Sequence, residues 1–177
     1  LDAHAAGMVR FETVRAGHAD VLWVPDQGFA LLEAILDRAA IGAAAEMLGA
    51  ADAAFEMTAD YLKTRRQFGQ LIGSFQALQH RAAVMFSELE LTRSCVAAAL
   101  DALDANANDV SLKASLAKAR AGETLHLVSN ECVQMHGGIG MTDAHDAGLY
   151  LKRARVLEAL YGSESYHRDR YARLQGY

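Results

Sequence analysis

Three features of the sequence predict an all-α fold, an antiparallel four-helix bundle with a short β segment at the N-terminus. Apolar residues recur at alternating spacings of three and four over most of the chain. The single proline, Pro25, separates that region from a β-branched N-terminal stretch. Clusters of glycine and asparagine divide the helical pattern into long segments. The chain has 177 residues, 52% of them hydrophobic, enough for one sizeable core.

Before Pro25, "MVRFETV" and "ADVLWV" carry the alternation and β-branched residues of short strands, so residues 1–25 are expected to be the remnant of a β-domain and residues 26–177 a helical domain. Leu36, Ala40, Ala43, Met47, Ala50, Ala54, Met57 and Tyr61 then form a seam that predicts one helix of roughly 35 residues, about 50 Å long. The stretch "RRQFGQLIGSFQALQH", residues 65–80, interrupts it with two glycines and a surplus of polar side chains. Behind Ser74 as N-cap, the spacing resumes with Leu78, Ala82, Met85, Leu89, Thr92, Val96, Ala99 and Leu103. "DANANDV" is a turn. Ala121, Leu125, Val128, Cys132 and Met135 make a third seam, closed by the helix-ending "HGGIG". A last helical region runs from about Asp143 to Tyr171, with a break expected at Gly162. The alanine-rich seams allow close helix approach and suit subunit contacts as well as a core.

A net charge of -5 with scattered basic residues excludes a general attraction to nucleic acid. The most apolar run, Phe29 to Ala54, contains Glu33, Asp37, Arg38 and Glu46 and is not expected to span a membrane. No secretory signal is expected. Cys95 and Cys132 show no metal or redox spacing and are expected to be reduced, buried thiols, which favours a cytoplasmic location. The chain begins at Leu1, without an initiator Met, as expected of a piece of a longer protein.

Arg65, at a helix end beside a glycine-punctuated turn, suits paired charge-assisted hydrogen bonds to a diphosphate, or simple solvation favoured by the helix dipole. "QMHGGIG" ends a helix, the reverse of the strand-to-helix placement of a dinucleotide fingerprint. Two ExxH elements, Glu123 with His126 and Glu164 with His167, invite comparison with di-metal carboxylate bundles, with Glu46 or Glu56 and Glu88 or Glu90 as the remaining ligands. They fall in the third and fourth helical regions, not on alternate helices, and no metal is expected.

In order, "YLKTRRQFGQLIGSFQALQH", "LELTRS", "VQMHGGIGMTDAHDAGLYLKRAR" and "GSESYHR" resemble the C-terminal half of the acyl-CoA dehydrogenase family. The resemblance implies the family's C-terminal helical bundle following the closing strands of its middle β-domain. It implies FAD, with Arg65, Gln67, Phe68 and Gln76 near the diphosphate half. Gln134, Met135, His136, Gly137 and Gly138 would approach the ADP part of a FAD bound mainly by the neighbouring subunit, and Ser163 would touch the flavin nucleotide. It further implies desaturation of an acyl-CoA to a 2,3-enoyl-CoA, an electron-transfer flavoprotein as partner, and a homo- or hetero-oligomer, dimer or tetramer. The family's general base is a carboxylate facing the flavin. Its "YEGT"-like turn corresponds to "LYGS" here, which places Tyr161 at the base position. Asp37 in "LDR", where an alternative alignment places Ala39, and Glu164 beside Ser163 are the carboxylate candidates. The alternative implied by Tyr161 is a base-lacking, non-catalytic subunit of a heteromeric enzyme. "KRAR", residues 152–155, is either a solvated face or a contact for CoA phosphates.

Overall fold

The computed structural model describes residues 7–24 and 26–177. Residues 1–6 and Pro25, the expected divider, lie outside the described residues. The stretches expected as strands, residues 8–14 and 19–24, pair with nothing among the described residues. They run as open chain with one 3-10 turn, His18–Asp20, where the Gly17 amide donates to Asp20 Oδ2 at 2.8 Å. A strand exists only as part of a ladder, and without a neighbour the alternating residues Met8, Phe11 and Leu22 stay exposed.

Among the described residues five α-helices follow: α1 (Gly28–Thr64), α2 (Gln76–Asp104), α3 (Val110–His136), α4 (Ala147–Ala159) and α5 (Glu164–Leu174). α1 is continuous over 37 residues, as its seam predicts. The fourth leg of the bundle is split at Gly162 into α4 and α5, the break expected there. At the α1–α2 turn, strands β1 (Arg66–Gln67) and β2 (Gln70–Leu71) form an antiparallel hairpin too short for periodicity to register. No helix of the described residues is long and apolar enough to cross a membrane.

α3 is the axis, packed against α1, α2, α4 and α5. A helix covered on so many sides needs small side chains for its neighbours to approach, and Ala114, Ala117, Ala121 and Gly122 of α3 are all buried. Facing them are Ala44, Met47, Ala51 and Ala54 of α1, Met85, Leu89 and Val96 of α2, and Ala154 and Leu157 of α4, in one continuous core. Buried polar groups tie the helices where apolar packing alone would leave register free. The Thr92 and Thr124 hydroxyls meet at 2.7 Å between α2 and α3.

Two expectations are corrected. Ala40, Ala43, Met47 and Ala54 of the α1 seam are buried as expected, but at its other positions the stripe shifts by one residue: Leu36 is 42% exposed while Asp37 is 3% exposed, and Ala51, Thr58 and Leu62 are buried while Ala50, Met57 and Tyr61 are only half-buried. Hydropathy favours Leu36 over Asp37 and Met57 over Thr58, but the inward polar residues have internal partners. Thr58 Oγ1, for example, donates to the Ala54 carbonyl at 2.7 Å. Nor is Ser74 the N-cap of α2. Phe75 occupies that position, and Ser74 Oγ donates instead to the Leu71 carbonyl at 2.7 Å.

Asp37 is buried because Arg170 of α5 comes to meet it. The guanidinium donates Nη1 to Oδ1 at 2.6 Å and Nη2 to Oδ2 at 3.2 Å, while the Ser111 hydroxyl donates to Oδ2 at 2.5 Å. Arg170 Nη1 also reaches Ser115 Oγ at 3.0 Å. The cluster joins α1, α3 and α5. Hydrogen bonding to Asp37 raises the Arg170 pKa above its ordinary value. Removing one member of a buried, hydrogen-bonded pair strands the other charge, at a cost of roughly 3–5 kcal/mol. Arg170→Met should therefore destabilise the protein by about 3 kcal/mol in urea unfolding, and Asp37→Leu in the same chain should recover part of the loss. Equal additive losses would show that the two charges do not depend on each other.

Candidate functional site

The α1–α2 turn is built to project side chains outward. After Thr64 the chain leaves helical geometry at Arg65, whose amide still donates to the Tyr61 carbonyl at 2.9 Å, and the Ile72 amide closes the hairpin onto the Arg65 carbonyl, also at 2.9 Å. Its loop residues, Phe68 and Gly69, have φ of 52° and 79°, the signature of a tight type I′ turn. A bulky aromatic at positive φ is strained, and Phe68 is also 91% exposed. Its ring meets Phe75 edge-on with centroids 6.2 Å apart.

The end of α3 forms the opposite wall. Gly137, with φ 65°, caps the helix in a conformation that costs a residue with a Cβ, and turns the chain into a 3-10 segment, Gly137–Met141. Between the two walls lies a cavity of about 370 Å³ lined by Tyr61, Arg65, Gln67, Phe68, Ile72, Phe75, Leu78 and residues 134–138. Arg65, Gln67, Phe68, Gln134, Met135, His136, Gly137 and Gly138 are thus brought together from positions about 70 residues apart in sequence. Gln76, at the first turn of α2, is exposed and does not line the cavity. Periodicity missed Tyr61 and Phe75 because it assigns them to packing. Tyr61 nonetheless stands one helical turn before Arg65, a spacing that puts the two on one face.

His136 is buried at this wall. Its ring lies 4.4 Å from Tyr61 and 4.2 Å from His145, centroid to centroid. Nδ1 is 2.7 Å from the Cys132 carbonyl and donates to it, which leaves Nε2 as an acceptor without a partner among the described residues. Burial, the largest influence, pushes the His136 pKa below its ordinary value, so the imidazole is neutral at pH 7. The positive charge of the cavity comes from Arg65, which forms no ion pair among the described residues.

The donor set suits a dinucleotide. An uncommitted guanidinium, the Gln67 and Gln134 amides and glycine backbone can meet phosphate oxygens, while Tyr61, Phe68 and Phe75 offer faces to a planar heteroaromatic. At Gly137 and Gly138 an added Cβ would stand in open space, so the backbone there is free to be approached closely. These residues fit FAD.

The other expected site residues lie elsewhere. Ser163 caps α5, accepting from the Tyr166 amide at 3.3 Å, and lines a separate hollow of about 320 Å³ with Glu164, His126 and Glu158. Glu164 forms a 2.9 Å pair with Arg168 on the α5 surface. Asp37 lines a third hollow, of about 290 Å³, with Glu33, Leu36, Tyr161, Gly162 and Tyr166. Both its oxygens are engaged by Arg170 and Ser111. The ExxH elements do not converge: Glu123 pairs with Arg120 and Arg168, His126 with Glu158, and His167 with the Tyr161 carbonyl. Among the described residues no group of three potential ligands is placed to hold a metal ion. In "KRAR", Arg153 pairs with Glu46 and Arg155 with Glu158.

Comparison with known proteins follows the same lines. Residues 26–175 match the family model of the acyl-CoA dehydrogenase C-terminal domain. The acyl-CoA dehydrogenase IpdE2 of Mycolicibacterium smegmatis is 43% identical over 137 residues, 77% of this chain and 40% of that protein. Among solved structures, butyryl-CoA dehydrogenase from Megasphaera elsdenii superposes with a TM-score of 0.81 at 27% identity, over 84% of this chain and 39% of that one. The ChsE4-ChsE5 complex from Mycobacterium tuberculosis gives 0.76 at 27% identity, over 80% and 39%. The chain therefore spans about two fifths of the length of these relatives. Bundle, hairpin and glycine-capped α3 together carry the family's C-terminal domain, and the chain belongs to the acyl-CoA dehydrogenase family.

Proposed function

We propose that the chain is the C-terminal part of an FAD-dependent acyl-CoA dehydrogenase, which desaturates an acyl-CoA thioester between Cα and Cβ to the 2,3-enoyl-CoA. The observation that carries this reading is the meeting of Arg65, Gln67 and Phe68 with residues 134–138 around one cavity. Arg65 would pair with the diphosphate, the Gln67 and Gln134 amides would orient it, and the backbone at Gly137 and Gly138 would lie against the ADP half. Gln76, outside the lining, would reach the cofactor only at its edge, and Ser163 would approach the nucleotide from α5.

When bound, the flavin supplies the acceptor for the hydride that leaves Cβ. The proton on Cα must go to a carboxylate of the protein. Asp37 shares a hollow with Tyr161, but its charge is committed to Arg170, a role in folding. Glu164 has only a surface pair with Arg168 and is the freer of the two candidates. Residues 1–25 would belong to the middle β-domain, whose other strands would pair with residues 8–14 and 19–24. Residues 26–177 would form the helical domain. The flavin site would be shared between subunits of a dimer or tetramer, in the cytoplasm, with an electron-transfer flavoprotein as the electron acceptor.

The test uses the full-length protein: it should copurify with FAD, and the flavin absorbance should bleach when acyl-CoA is added. Protein free of flavin in every preparation would overturn the assignment. Bleaching only after a partner subunit is added would replace the self-sufficient enzyme by a base-lacking subunit of a heteromer. Arg65→Ala should weaken flavin retention by roughly 10- to 100-fold, since a hydrogen bond to a charged group contributes about 1.5–3 kcal/mol. Flavin content equal to that of the wild type after extensive dialysis would remove Arg65 from the site.

Phe68 gives a second test. Glycine takes positive φ without steric cost, so Phe68→Gly should leave thermal stability unchanged or raise it by about 1 kcal/mol, while flavin retention falls. A loss of stability with flavin retention intact would mark Phe68 as an ordinary packing residue of the hairpin.

A further inference from the structure

The turn between α4 and α5 is strained and held from behind. Tyr161 has φ 58° and Gly162 φ 108°, and a Cβ on Gly162 would come within 2.6 Å of the Tyr166 ring. Both carbonyls of this pair are engaged by buried side chains from different helices. His167 of α5, 2% exposed, places Nε2 at 3.0 Å from the Tyr161 carbonyl and donates to it. Lys118 of α3, 1% exposed, places Nζ at 3.0 Å from the Gly162 carbonyl and 3.1 Å from that of Leu157.

Lys118 is unusual in having no carboxylate within ion-pair distance among the described residues. Its partners are the carbonyls at the C-terminal end of α4, where the helix dipole favours a cation. Burial lowers its pKa to about 8, an expense that a surface lysine would avoid. A C-cap for α4 alone would need neither the Gly162 contact nor a second donor on the adjacent carbonyl.

We infer that Lys118 and His167 are positioning residues: together they hold the backbone of Tyr161 and Gly162 in its left-handed conformation and so fix the direction in which position 161 faces the hollow beside Glu33, Leu36 and Asp37. That this hollow receives the acyl thioester rests on the function proposed above; that the two side chains clamp the turn does not. Without the clamp the strained conformation becomes a minor one, and whatever depends on it weakens by the fraction lost.

The experiment uses full-length, FAD-loaded protein and the variants Lys118→Met, His167→Leu and His167→Gln, the last keeping a donor near the position of Nε2. Amide hydrogen exchange is measured over residues 159–165, with residues 65–76 and 134–138 as internal controls, and the rate of flavin bleaching is measured with an acyl-CoA. Lys118→Met and His167→Leu should raise exchange in the turn by about tenfold or more with the controls unchanged, and should slow bleaching more than they raise the KM for acyl-CoA. His167→Gln should stay near the wild type in both. Unchanged exchange in Lys118→Met and His167→Leu would overturn the clamp, as would His167→Gln behaving like His167→Leu. Raised exchange with bleaching intact would overturn the positioning role and leave the proposed function standing. Wild-type protein that holds flavin but never bleaches would sink the desaturation reading, with the clamp then decided by exchange alone.

Discussion

α3 is a helix covered on nearly every side, and the rest of the molecule answers to that constraint. Its alanines and Gly122 let the neighbouring helices approach closely, which leaves little room for large side chains on its inner faces. Several of the polar residues that remain inside find a partner on a different helix. Thr124 reaches Thr92 of α2, Ser115 reaches Arg170 of α5, and Lys118 reaches the end of α4. Apolar packing supplies the bulk of the stabilisation, while these contacts fix which residue faces which.

The same helix connects the candidate cavity and the turn at Tyr161. Lys118 lies near one end and His136 at the other, about 27 Å apart at 1.5 Å per residue. One end carries the cavity that fits a dinucleotide, and the other holds the turn at Tyr161. A rigid helix between them means that the distance from cofactor-facing wall to turn is set by covalent geometry rather than by loop conformation. Both regions also store strain, at Phe68 and at Tyr161, each a large residue in left-handed backbone. Strain of this kind persists only where surrounding contacts impose it: the hairpin ladder at Phe68, and two buried donors, one on the Tyr161 carbonyl and one on that of Gly162, at the α4–α5 turn.

The bundle was legible because three long seams keep a helical period over many turns, and the breaks at residues 65–75, 105–109 and Gly162 carry glycine, asparagine or aspartate. The phase of α1 was not, since Leu36 outranks Asp37 in hydropathy, and it is Arg170, 133 residues away, together with Ser111, that makes Asp37 an interior residue. Residues 8–14 and 19–24 form no ladder among the described residues for a related reason: alternation records a preference for a sheet, and the sheet itself needs a partner chain segment. At the cavity, family resemblance marked Arg65, Gln67, Phe68 and residues 134–138, which line it, and Gln76, which does not. It did not mark Tyr61 or Phe75, whose spacing is that of core residues. The clamp at Gly162 was invisible in sequence because a lysine within an alanine-rich helix looks like any solvated charge until its surroundings are known.

The central claim is that the hairpin after α1 and the glycine-capped end of α3 together form a surface for a dinucleotide. It is tested most directly by the structure of the full-length, FAD-bound protein determined by crystallography or electron cryomicroscopy. The diphosphate oxygens should lie within hydrogen-bonding distance of the Arg65 guanidinium, with the adenosine half against residues 134–138. FAD bound with Arg65 and Gly137 both facing solvent, remote from the cofactor, would contradict the account.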